Sequence, residues 1–354
     1  MGMAISPWHQ SLWRSLQARR QVIPSSLLLV GRPGTDLPNL GMELAGMLLC
    51  DVGNSDKPCT SCRSCHMFER GVHPDLHVIS TEEAEGICDL RFKNQSMRYT
   101  DTDSTKRERR TTVRSIITVD QIRAVTESLN KSAGLGSSKV CLIYPADVLN
   151  LNAANALLKS LEEPTGGSYF LLLSSFPGNL PPTIRSRCSR LDLNNPTIDE
   201  SIEWLTTEHK VDLKVAQQLI TRGFGPYEVL QMNTREDIVA YQVLIDGLTG
   251  LISGSVSAGA FARQNGIYDK VLTLKVIQSE IYRGLRASVH PRHHADVPVL
   301  ISPDLALEFR EVLFSVYFAI GKFLSWPKKS VDEQLFLEHI ALKLSFAHNH
   351  GHNT

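Results

Sequence analysis

Apolar and polar positions follow two different regimes along this chain. In the first, short apolar runs are separated by helical patterns: a helix around Leu12, Trp13 and Leu16, then a buried strand from Ser26 to Val30, with further strands at Leu76 to Ser80, Lys139 to Tyr144 and Tyr169 to Ser174. The third strand ends at Pro145, and the fourth follows a helix that Pro164 terminates. Strands separated by helices predict a mostly parallel sheet covered on both faces, an α/β layer architecture. From Pro196 onward strand signals stop and helical periodicity takes over, as in Val271, Leu274, Ile277, Ile281 and Leu285, or Phe309, Val312, Leu313, Val316 and Ile320. The C-terminal part is therefore expected to be all helical. Pro291 to Pro298, with His290, His293 and His294, reads as a loop between those helices.

One stretch fits neither regime. Between about residues 81 and 114 apolar residues are few, with an acidic start (Glu82, Glu83, Glu85) and a basic end (Lys106, Arg107, Arg109, Arg110, Arg114). This reads as a mobile insertion, and a DNA-contacting finger is the sharper alternative to a solvated linker.

At 354 residues and 42% apolar composition, the chain can bury substantial cores in two or three domains. Its 37 Lys and Arg balance 37 Asp and Glu, so no global positive field makes it a strong DNA binder by itself. The N-terminal stretch carries no apolar core of signal-peptide length and no run is long enough for a membrane span, which leads to the expectation of a cytoplasmic protein.

Four of the seven cysteines fall within residues 50 to 65, as Cys50-x8-Cys59-x2-Cys62-x2-Cys65. Three thiols at tight turn spacing can converge on one ion while the fourth closes a tetrahedron, a pattern suited to a structural Zn²⁺ with no open coordination position. A redox dithiol is the competing reading. Cys88, Cys141 and Cys188 stand apart and read as ordinary thiols.

After the first strand, where an ATP-binding protein carries G-x-x-x-x-G-K-[ST], the chain has Gly31-Arg32-Pro33-Gly34-Thr35-Asp36-Leu37-Pro38. The first glycine is in register. Asp36 stands at the second glycine, Leu37 at the lysine, and Pro38 at the metal-binding hydroxyl. With no ammonium, a carboxylate facing phosphate and no N–H at residue 38, this loop is not expected to bind ATP. A plain turn that never held nucleotide fits the same residues. At the end of the third strand, where Mg²⁺ needs a carboxylate, the chain reads Tyr144-Pro145-Ala146-Asp147, and Asp147 is three places late.

The segment DVLNLNAANALLKSLEEP (Asp147 to Pro164), followed by Ser186-Arg187-Cys188, resembles the clamp-loader branch of the AAA+ proteins. The four cysteines and the following Gly71-Val72-His73-Pro74-Asp75 resemble the zinc-bearing subunits of bacterial DNA polymerase III. The resemblance covers about the first 190 residues well. It implies a RecA-like domain (1–192, with a zinc module at 50–65), a helical lid (193–238) and a helical collar for oligomerisation (239–354). It also implies partners: gamma/tau motor subunits, the delta subunit and, indirectly, the sliding clamp and primer-template DNA. Arg187 is implied to be an arginine finger reaching a neighbour's ATP; read without the family, it is a surface arginine in an ion pair, with Arg185 and Arg190 close by.

On the helix after Asp147, the leucines at 157, 158 and 161 are expected in the core, while Asn155, Lys159 and Glu162 are candidates to face a partner. Gly223-Phe224-Gly225-Pro226-Tyr227 occupies the neighbourhood where active relatives place a nucleotide-touching arginine, but the nearest basic residue, Arg222, precedes it. The tail from His348 to His352 reads as a frayed polar end rather than a metal trap. The leading expectation is a non-hydrolysing stator subunit that lends Arg187 to a motor subunit. The alternatives are an ATP-hydrolysing gamma/tau-type motor and a zinc-dependent nucleic-acid module.

Overall fold

The computed structural model describes residues 5–52, 58–85, 88–99, 116–232, 235–265, 270–289, 299–325 and 332–349. The chain divides into two compact units, Met1–Pro196 and Thr197–Thr354.

The first unit is built on a five-stranded parallel sheet of β1 (Ser26–Val30), β2 (Leu76–Ser80), β3 (Lys139–Tyr144), β4 (Ser168–Ser174) and β5 (Ser189–Asp192), in the order β2-β3-β4-β1-β5. The four strands expected from the apolar runs are all present. β5 is an addition: it pairs with β1 alone, Leu28 lying opposite Arg190, and its mostly exposed residues carry no apolar run. The sheet is buried on both faces. Leu27 and Leu29 join one core with Leu40, Leu44, Met47, Phe68 and Phe92, while Leu28 and Leu172 face the other with Ile122, Val125, Leu157 and Ile184. Each such leucine contributes about 1.5–3 kcal/mol of burial, which explains why the strands read as unbroken apolar runs.

Several of the helices begin at a side-chain cap. α1 (Gln10–Ala18), α2 (Leu37–Leu49) and α3 (Arg63–Glu69) lead to β2. α4 (Glu82–Glu85) and α5 (Leu90–Ser96) follow it, and these two correct the expectation of a loop from residue 81. Asp89 caps α5 by accepting the Phe92 N–H at 2.7 Å. Phe92 is 1% exposed, and Arg91 is buried against Glu43 (2.9 Å), Asp89 (2.7 Å) and Glu69 (3.4 Å). A segment that looks polar in sequence is thus part of the core through ion pairs to distant residues. Lys106, Arg107, Arg109, Arg110 and Arg114 lie outside the described residues.

α6 (Val119–Leu129) starts with a capping box from Thr118 and Gln121, and α7 (Leu151–Glu162) starts at Asn150, whose Oδ1 accepts the Ala153 N–H at 2.8 Å. A short turn of helix, α8 (Pro182–Arg185), leads into β5.

In the second unit all described elements are helical. Its helices are α9 (Ile198–Thr207), opened by a Thr197/Glu200 capping box, α10 (Leu213–Thr221), α11 (Pro226–Gln231), α12 (Arg235–Ile252), α13 (Ala258–Asn265), α14 (Lys270–Val289), α15 (Pro303–Glu308), α16 (Arg310–Ser325) and α17 (Glu333–Asn349). Most of the expected stripe positions are buried, Leu274, Ile277, Ile281 and Leu285 on α14 and Leu313, Val316 and Ile320 on α16, whereas Phe309 and Val312 are half-buried and the side chain of Val271 lies outside the described ones. α17 runs to Asn349, so His348 and Asn349 are helical rather than frayed. His290, His293, His294 and residues 350–354 lie outside the described residues. Among the described residues no helix is long and apolar enough to cross a membrane.

Candidate functional site

The cysteine cluster grows out of the C-terminal end of α2. Cys50 follows the last helical residue, Cys62 is the N-cap of α3 and Cys65 lies in its first turn. The four sulfur atoms lie within 4.8 Å of one another, with Cys59 Sγ and Cys65 Sγ 3.8 Å apart. Four thiolates bound tetrahedrally to zinc at about 2.3 Å would have their sulfurs about 3.8 Å apart, so the donor set fits such an ion.

Backbone N–H groups point at the sulfurs: Cys62 donates to Cys59 Sγ at 3.3 Å, Cys65 to Cys62 Sγ at 3.4 Å, and Cys59 to Cys50 Sγ at 3.5 Å. These bonds favour thiolate over thiol. At Cys59 burial acts upward, but the Ser61 and Cys62 donors outweigh it and bring the thiol down to about 6. At Cys65 burial dominates and pushes the thiol up. A cation between the sulfurs would reverse that penalty.

What holds the cluster to the fold is polar and specific. Ser64 Oγ donates to the Leu49 carbonyl at 2.6 Å, so His73 Nε2 must donate to Ser64 Oγ, 2.9 Å away. That leaves His73 Nδ1 to accept the Asp75 N–H at 3.1 Å. Asp75 in turn accepts the N–H groups of Gly134 (2.6 Å) and Leu135 (2.9 Å). The Gly71-Val72-His73-Pro74-Asp75 motif is therefore a staple between the cysteine module, β2 and the turn before β3. Gly71 turns at φ +66, with the Arg91 backbone 2.9 Å from where a Cβ would sit. On the other side, Arg20 Nη2 donates to the Cys50 carbonyl at 2.8 Å, a cation at the negative end of α2.

The loop between β1 and α2 is filled by the protein itself. Asp36 adopts a left-handed conformation at φ 73, the geometry for which a glycine is usual at this place. Its carboxylate is buried, accepting from Ser6 Oγ at 2.8 Å and Asn39 Nδ2 at 3.0 Å. His9 Nε2 donates to the Thr35 carbonyl at 2.8 Å. Burial holds His9 below the ordinary histidine value, with the Thr35 carbonyl acting in the opposite sense. Leu193 closes over Gly31, its Cδ1 only 2.8 Å from a would-be Cβ. Leu37 is buried in the core. The residues before α1 were not singled out in the sequence because Ser6 and His9 act across 26 to 30 positions.

Asp147 is likewise engaged. Its Oδ1 accepts from Ser174 Oγ at 2.7 Å and from the Ser175 N–H at 3.0 Å, tying the turn after β3 to the end of β4.

Arg187 lies between α8 and β5, half-buried. Its Nε donates to Glu162 Oε1 at 2.5 Å, its Nη2 also reaches that oxygen, and its Nη1 donates to the Thr183 carbonyl at 3.0 Å. Glu162, with Asn155 and Lys159, is exposed on α7, while Leu157 and Leu161 are core. Arg190 pairs with Asp192, 2.7 Å away. Cys188 is buried, which pushes its thiol up to about 11. Arg222 is buried in the helical unit against Glu280.

A five-stranded parallel sheet covered by helices on both faces, with a loop without lysine after its first strand and a four-cysteine cluster at the end of the following helix, defines the first unit as an α/β domain. The chain belongs to the family described as DNA polymerase III, delta subunit, whose sequence model matches residues 8–197. The DNA polymerase III subunit delta' of Pseudomonas aeruginosa is 37% identical over 201 residues, covering 57% of this chain and 52% of that protein. The protein of the same name from Escherichia coli (strain K12) is 32% identical over 204 residues, 58% of this chain and 52% of the relative. The DNA polymerase III subunit gamma of Buchnera aphidicola subsp. Schizaphis graminum is 28% identical over 47% of this chain and 37% of its own length. The chain spans about half the length of the delta' relatives it matches.

Proposed function

We propose that this chain is a non-hydrolysing stator subunit of the DNA polymerase III clamp loader. In this reading residues 193–238 form a lid and 239–354 a collar, which holds the chain in a ring with gamma/tau motor subunits and a delta subunit. The assembly opens a sliding clamp and places it on primer-template DNA. The observation that carries the first half of the proposal is the β1–α2 loop: a buried Asp36 carboxylate held by Ser6 and Asn39, with Leu37 and Pro38 where a lysine and a metal-binding hydroxyl would stand. A triphosphate brought there meets a fixed negative charge in place of a positive one.

The second half concerns Arg187, which we assign as an arginine finger for the neighbouring motor subunit. A guanidinium placed against a γ-phosphate offsets charge developing during phosphoryl transfer, an effect of about 10³–10⁵ in rate where NTPases have been measured. The chain thereby supplies a catalytic group to a site it does not own. The Cys50, Cys59, Cys62 and Cys65 cluster is assigned to a structural zinc, all four ligands being sulfur. The test is reconstitution with motor subunits. A defined complex should form whose ATP turnover depends on this chain, and Arg187→Ala should preserve assembly while depressing turnover. Unchanged turnover would overturn the finger assignment.

The relative named subunit gamma gives the alternative, an ATP-hydrolysing motor, its concrete form. Leu37, Pro38 and the engaged Asp147 speak against it.

A further inference from the structure

The Glu162 carboxylate is the last residue of α7, at the negative end of that helix. A carboxylate there works against the helix dipole, so helix stability gives no reason for it. The residue it does serve lies 25 positions on: Glu162 Oε1 receives Arg187 Nε at 2.5 Å and Nη2 as well. From the opposite side the loop of Arg187 itself closes on the guanidinium, with the Thr183 carbonyl 3.0 Å and the Ser186 hydroxyl 3.4 Å from Nη1.

A guanidinium has five N–H donors in a rigid fork. Glu162 takes two along the Nε edge, and the loop takes those of Nη1, the Ser186 contact being the long one. Among the described residues one N–H of Nη2 remains without an acceptor, and the Ser186 contact is the one most readily exchanged for another acceptor. The two N–H groups that can turn to a phosphate therefore lie off the Nε edge, away from the carboxylate.

The geometry points to Glu162 as a positioning residue: by holding the Nε edge it fixes the orientation in which Arg187 presents its remaining N–H groups to the partner's phosphate. This rests on the finger assignment above. As a bond in its own right the pair is half exposed and worth little to stability. Its value lies in ordering a long side chain before the partner arrives, so that the ordering is not repeated at each encounter. Glu162 touches no phosphate itself and acts only through Arg187.

The experiment uses the reconstituted complex, with steady-state ATP turnover measured per assembled complex over a range of ATP concentrations. The variants are Glu162→Ala, Glu162→Asp, Arg187→Ala and the double alanine variant. Freeing one rotamer-rich side chain should lower kcat about three- to tenfold in Glu162→Ala, with KM for ATP little changed. Glu162→Asp should recover part of the loss, and the double variant should be no slower than Arg187→Ala alone, because the carboxylate has nothing left to orient. If Arg187→Ala slows turnover and Glu162→Ala does not, the positioning role is wrong and the finger stands. A faster Glu162→Ala complex would make the carboxylate a restraint and overturn the proposal. Unchanged turnover in Arg187→Ala would remove the finger and this inference with it.

Discussion

Arg222 donates from Nε to Glu280 Oε1 at 2.8 Å, inside the helical unit, where Glu280 is fully buried. Arg283 Nη1 reaches the same oxygen at 2.8 Å, the Ser279 hydroxyl donates to the Arg222 carbonyl, and the Arg222 guanidinium lies over the Tyr241 ring at 5.6 Å. In the sequence Arg222 is the basic residue next to Gly223-Phe224-Gly225-Pro226-Tyr227, a candidate nucleotide contact. Here it joins α10 to α14 instead, and its charge is neutralised by a partner 58 residues away.

Removing that carboxylate should be costly. Glu280→Ala removes the carboxylate that two buried guanidinium groups share, and breaking a buried pair in this way costs about 3–5 kcal/mol. Urea unfolding followed by circular dichroism should show the loss, with Glu280→Gln losing less because its amide oxygen still accepts. A variant as stable as the parent would mean the network carries no weight.

If the cysteine cluster holds the zinc assigned to it, the local fold should depend on that ion. By its sequence the stretch 51–65 is polar with few apolar residues, whereas binding of structural zinc contributes roughly 10–16 kcal/mol in small peptides. Elemental analysis should find one zinc per chain. Chelation or Cys62→Ser should expose the end of α2 and α3 to hydrogen exchange while leaving the helical unit protected. A metal content well below one per chain would remove the zinc assignment.

Acid should weaken the first unit through His77. Burial, helped by the nearby Arg98 charge, brings this histidine from 6.5 down to about 4, while its ring contacts the Tyr99 hydroxyl at 2.5 Å. The unfolded chain takes up the proton as pH falls through 6.5 and the folded chain does not until about 4. Stability is therefore full above 6.5 and lost as pH drops toward 4, by at most about 3 kcal/mol. His77→Gln lacks this proton, so the gap between variant and parent should shift in the variant's favour across that window. A gap independent of pH would contradict the assignment.

The parts of the fold legible in the sequence were those whose cause is local. β1 to β4 announce themselves because both faces of each are buried, and the cysteine cluster because spacing and side-chain chemistry alone define a donor set. β5 does not, since Ser189, Arg190 and Asp192 sit exposed at a sheet edge and their pairing is set by β1. α5 was hidden for a related reason: Arg91 looks like a surface residue until Glu43 and Glu69 close on it from 48 and 22 positions away. In the candidate site, the missing lysine was readable from a motif, but the buried contacts of Ser6 and His9 with the loop, and the grip of Glu162 on Arg187, arise only when distant segments meet.

In the function proposed above, the β1–α2 loop takes no nucleotide, because Asp36, Leu37 and Pro38 stand where its ligands would. Equilibrium dialysis of the purified chain against radiolabelled ATP with magnesium tests it most directly. No saturable binding is expected up to millimolar ATP. Saturable binding at micromolar concentration, abolished by substitutions in residues 31–38, would contradict it.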